Sequence, residues 1–106
     1  MPNGESRNWV RFIITLESFY SLYGKWPTAI QVYPFFIDEL QNKLSAKDFQ
    51  TLQSKIRLEP DEKNPFLCFD EKGNEYDYAR ENICPNKDSS VKAINWLNIT
   101  EPDYYD

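Results

Sequence analysis

Apolar residues recur at helical spacing near the start of the chain, where Trp9, Phe12, Ile13, Leu16, Phe19, Tyr20 and Tyr23 share one broad face. The pattern predicts a helix from about Arg7 to Tyr23, capped by Ser6 or Asn8. Gly24 suits the left-handed residue that ends a helix. Trp26-Pro27 blocks continuation, because proline biases its predecessor toward extended backbone. Val10 and Ile14 fall off the main stripe. The helix is therefore expected to be buried on more than one side, either within the fold or against a second copy of the chain.

The period then changes. Ala29 to Tyr33 reads as a strand with Ile30 and Val32 on one face. Pro34 suits the first turn of a second helix that reaches Leu44 and turns Phe36, Ile37, Leu40 and Leu44 inward. Ser45-Ala46-Lys47-Asp48 has the form of a capping box, with Asp in place of Glu or Gln. A third helix follows to Lys55, burying Phe49, Leu52 and Ile56. Ile56 and Leu58 alternate with Arg57 and Glu59 in a second strand, and Pro60 to Pro65 forms a polar turn.

Phe66-Leu67-Cys68-Phe69 is apolar on both faces and reads as a central strand. Asp70 to Asn74 connects it to a return strand, Glu75 to Ala79, through a three-residue loop in which Gly73 takes positive φ. In that strand Tyr76 and Tyr78 alternate with Glu75 and Asp77. Ser89 or Ser90 is placed to cap a last short helix, with Val91, Ile94 and Leu97 on one face and Trp96 beside them. The expected architecture is α+β in a single domain spanning 1–106, with 1–6 and 101–106 flexible. A long N-terminal helix packs on a small mixed β-sheet of about four strands. A helical-pair crossover links the first two strands, which run parallel if adjacent, and an antiparallel hairpin follows.

Charge narrows the partner classes. The chain of 106 residues carries 17 carboxylates against 12 Lys and Arg, a formal net charge of −5. Phosphate backbones repel such a surface, so no direct nucleic-acid binding is expected, although the two short helices have the length of a helix-turn-helix. The same charge steers the protein toward basic partners. No apolar run reaches membrane-spanning length, and Met1 to Arg7 lacks the layout of a secretion signal, so a cytoplasmic location is expected.

Candidate chemistry is sparse. The chain has no histidine, which excludes histidine relays and His-ligated metal sites. Gly4, Gly24 and Gly73 are too far apart for a P-loop or a dinucleotide fingerprint. Cys68 and Cys84 lack metal-site spacing, and Cys68 reads as a small core residue. Asp70, Glu71, Asn74, Glu75 and Asp77 are rich in oxygen ligands, but Gly73 is misplaced for a calcium loop. Tyr76, Tyr78 and Arg80 could bind a phosphate or stack a base. No catalytic residue, cofactor or metal ligand is assigned.

Surface chemistry points to a small non-catalytic interaction or regulatory module that engages a partner with basic surface. An antitoxin, an immunity protein, an inhibitor or an accessory subunit would fit. The candidate contact residues are Trp26, held in a loop by its proline, Glu75, Asp77 and Glu81 along the return strand, and Tyr104 and Tyr105 in the acidic tail. Trp26 has a second reading, as a lid folded onto the core. Two other classes compete: a carboxylate-dependent enzyme or small-ligand binder, and a homo-oligomeric structural protein. A monomer or homodimer is expected.

Overall fold

The computed structural model describes residues 4–78 and 92–100. Its elements are α1 (Gly4–Tyr23), β1 (Ala29–Val32), α2 (Pro34–Lys43), α3 (Ala46–Lys55), β2 (Arg57–Pro60), β3 (Leu67–Phe69), β4 (Glu75–Asp77) and α4 (Ala93–Leu97). The fold is α+β, with the N-terminal helix packed on a four-stranded mixed sheet of order β2-β1-β3-β4.

α1 starts a turn earlier than its apolar stripe predicts, because periodicity registers only from the first apolar residue, Trp9. Ser6 and Asn8 therefore lie inside the helix rather than at its cap, and residues 4–6 are helical. Trp9, Phe12, Leu16 and Phe19 are buried, as the stripe requires. The exit also follows the sequence: Gly24 sits at φ +72° and its N–H donates to the Tyr20 carbonyl at 2.8 Å.

β1 pairs with β2 in parallel, Ile30 opposite Leu58, and α2 and α3 make the crossover between them. Ser45 accepts a hydrogen bond from the Asp48 N–H, so the capping side chain works as expected. The Asp48 carboxylate has a different role from the capping-box reading: it accepts from the Thr100 N–H at 3.3 Å and ties α3 to the segment after α4. β1 pairs on its other side with β3 in antiparallel register, Ile30 opposite Cys68, and β3 pairs with β4, Cys68 opposite Tyr76.

Leu58, Ile30, Cys68 and Tyr76 thus form one row across the sheet, facing the helices. The last three are at most 2% exposed and join Phe12, Phe36, Leu52, Leu97 and others in one core cluster. The Cys68 thiol donates to the Thr15 carbonyl at 3.7 Å, which places α1 directly over β3.

The C-terminal helix differs most from its sequence pattern. It begins at Ala93 with Lys92 as the N-cap residue, and buries Ala93 and Leu97 while Ile94 is half-buried. Ser89, Ser90 and Val91 lie outside the described residues. Its start is instead satisfied at long range, since the buried Glu17 carboxylate of α1 accepts from the Ala93 N–H at 3.0 Å. Asn98 ends the helix in the left-handed region, at φ +58°.

Candidate functional site

β3 and β4 carry most of the residues singled out by their chemistry. The hairpin between them is wired by Asp70. Its carboxylate accepts from the N–H groups of Lys72 at 2.9 Å and Asn74 at 3.0 Å, and from the Asn74 side-chain amide at 3.0 Å. The Lys25 ammonium, from the loop after α1, reaches the same carboxylate at 2.8 Å. Lys25 chiefly, with these amide donors, holds the Asp70 carboxyl well below its ordinary pKa. Asp70 is therefore occupied in fastening the hairpin to the α1–β1 loop. The three-residue connection is present: the Asp70 N–H donates to the Asn74 carbonyl at 3.0 Å, and Gly73 sits at φ +88°.

Glu75 and Asp77 emerge on the sheet face opposite the helices, with Tyr76 between them turned into the core. The registers bring their neighbours into two rows. Arg57, Ala29, Phe69 and Glu75 form one, and Glu59, Gln31, Leu67 and Asp77 the other. Leu67 and Phe69 are half-buried, Glu75 is exposed, and none of the four belongs to the core cluster with Asp77. At the far edge Arg57 pairs with Glu59 at 2.6 Å. The described return strand ends at Asp77, although the Tyr78 N–H still donates to the Phe66 carbonyl at 3.0 Å, and the expected last residue, Ala79, lies outside the described residues.

Trp26 is half-buried. Its ring stacks on Trp96 with centroids 4.8 Å apart and planes 9° from parallel, and it meets Tyr20 at 4.6 Å. The loop tryptophan thus joins α1 to α4 and packs against the core cluster. Glu81, Tyr104, Tyr105, Arg80 and Cys84 lie outside the described residues. Cys68 is a core residue, and burial pushes its thiol pKa up, away from reactivity.

Among the described residues no group of three or more Cys, Asp or Glu is arranged to hold a metal ion. No described helix is long and apolar enough to cross a membrane. The outer side of α1 keeps Val10 half exposed beside a hollow of about 130 Å³ lined by Trp9, Val10, Ile13 and Ile14. That second apolar side was legible as the off-stripe residues Val10 and Ile14. Sequence reasoning did not find Asp70 as the organiser of the hairpin, nor Glu17 as the partner of α4. Comparison of the chain with known proteins finds no matching family, no matching curated protein and no matching solved structure.

Proposed function

We propose that this chain is a non-catalytic protein-interaction module that engages a partner with basic surface through the outer face of its sheet. One observation carries the reading: half-buried Leu67 and Phe69 lie in register with Glu75 and Asp77 on β4. Apolar area of this kind supplies contact, while the acids steer a basic partner and penalise an acidic one. The net charge of −5 acts in the same direction at long range. An inhibitor, antitoxin, immunity protein or accessory subunit would work by this physics in the cytoplasm. Trp26 serves such a surface from behind, by fixing the loop whose Lys25 holds the hairpin.

The test is a tagged pull-down from host lysate, eluted by a salt gradient and read by mass spectrometry, beside a Glu75→Lys/Asp77→Lys variant. The expected result is a stoichiometric basic protein, released by salt and lost in the variant while circular dichroism stays unchanged. An empty wild-type lane, or equal capture by the variant, would remove the reading.

A further inference from the structure

At the end of the sheet where β1 and β4 leave and β3 enters, an open cleft of about 280 Å³ is lined by Arg11, Tyr33, Pro65, Phe66 and Tyr78. We propose that this cleft binds a small aromatic anion, a carboxylate or phosphate carried on a single flat ring, with the Arg11 guanidinium taking the charge. The site is distinct from the outer sheet face and does not depend on the function proposed above.

Arg11 carries the first part of the argument. It is half-buried on α1, yet its guanidinium makes a single hydrogen bond to a described residue, a long one of 3.4 Å from Nη1 to the Asn8 Oδ1. A guanidinium offers five donors in a planar fork matched to carboxylate and phosphate. Arg11 forms no ion pair with any described carboxylate, in a chain with 17 of them. Most of its donors are therefore available to an incoming anion.

The walls carry the second part. Tyr33 and Tyr78 both meet Phe66 edge to face, at 5.8 Å and 6.5 Å between centroids. The Tyr33 and Tyr78 hydroxyls make no hydrogen bond to a described residue. Phe35 stacks on one face of Tyr33, with centroids 5.1 Å apart, and the edge-to-face setting against Phe66 leaves π-faces of Tyr33 and Tyr78 on which a further ring can pack. The cleft, at about 280 Å³, has room for one ring and its anionic group.

The backbone carries the third part. Phe66 sits at φ +60°, a region that bulky residues rarely enter. Its N–H donates to the Gln31 carbonyl and its carbonyl accepts from the Tyr78 N–H, so β1 and the residue that follows β4 hold it there. The polar loop before it is fixed as well: the Asp61 carboxylate accepts from the N–H groups of Lys63 at 2.8 Å and Asn64 at 2.9 Å. Backbone strain of this kind concentrates where a side chain must be held for a ligand. The sequence pairs Tyr78 with Arg80 for such chemistry, whereas the fold supplies Arg11 from 67 positions upstream as the cation.

The experiment is an NMR titration of the full chain with phenyl phosphate and benzoate, alongside phenol and inorganic phosphate. The expected result is saturable shifts for both aromatic anions, centred on the Arg11 Nε–H and the Tyr33, Phe66 and Tyr78 rings. Phenol and inorganic phosphate should bind about tenfold more weakly or worse, because each lacks half of the recognition. Arg11→Gln should weaken phenyl phosphate by about tenfold or more, and Arg11→Lys, which keeps the charge without the fork, by less. No saturable shift at millimolar concentration, phenol binding as tightly as phenyl phosphate, or undiminished binding by Arg11→Gln would each overturn the assignment. The ligand series on the wild-type protein decides the matter even if a variant fails to fold.

Discussion

The two ends of β3 solve the same problem by opposite means. Both need a residue at positive φ: Phe66 at +60° where the strand begins, and Gly73 at +88° in the loop that follows it. At the second end the local sequence agrees with the backbone. Glycine takes the conformation without a Cβ penalty, and Asp70 supplies the acceptors that close the loop. At the first end the local sequence resists. A phenylalanine is held in the left-handed region by bonds to β1 and by the Tyr78 N–H, while its ring packs on Phe36 at 5.9 Å. A turn made by its own residues is a stable connector. A turn made by its neighbours stores strain and positions a side chain.

Changes at each end break this comparison in different ways. Phe66→Ala should have the largest effect, about 3–5 kcal/mol lost in denaturant unfolding, since a buried ring is removed from an aromatic cluster. Phe66→Gly sharpens the point. At an ordinary position glycine is about 1 kcal/mol worse than alanine. Here it should match or exceed alanine, because only glycine relieves the left-handed backbone; a clearly less stable glycine variant would refute the strain.

Next in size is Asp70→Asn, and its signature is in the pH profile. A carboxyl whose folded pKa is lowered stabilises the fold above the unfolded value, and that contribution is lost as the pH falls toward the folded one. The melting temperature of the wild type should therefore exceed that of Asp70→Asn at neutral pH, and the gap should close as the pH drops below about 4. A gap that persists in acid would show that the Lys25 pairing and the amide donors do not stabilise the hairpin.

Gly73→Ala should cost about 1–2 kcal/mol in the same unfolding measurement, from backbone strain alone, since an added Cβ meets nothing within 4 Å. Gly73→Asn should cost less, as asparagine tolerates the left-handed region. The smallest effect is a rate. Between the two ends Cys68 is fully buried, so mass-spectrometric mapping of alkylation should find it protected in the native protein. Its labelling should accelerate more in Phe66→Ala than in Gly73→Ala, because the former opens the core and the latter only the loop.

Much of the architecture was readable from periodicity and turn chemistry. α3 ends at Lys55, where its pattern stops, and β1 buries Ile30 and Val32 as alternation requires. The Gly24 exit, the Ser45 cap and the Gly73 loop each follow from a residue type with one local physical role. The candidate interaction residues were less legible. Glu75 and Asp77 could be assigned to one face by alternation, but Leu67 and Phe69 join them only through strand register. Trp26 has two readings in the sequence, and its packing against Trp96 and Tyr20 depends on residues that local pattern does not bring together.

The sequence by itself determined the elements, their order, and the apolar faces of α1, β1 and α3, because those properties depend on residues a few positions apart. Tertiary structure alone decided the long-range polar contacts: Glu17 on the start of α4, Lys25 on Asp70, Asp48 on the Thr100 N–H. It also decided that Arg11 stands among Tyr33, Phe66 and Tyr78. A hydrogen bond or a cleft needs particular atoms to converge in space, and local pattern carries no information about which distant residues the packed core brings together.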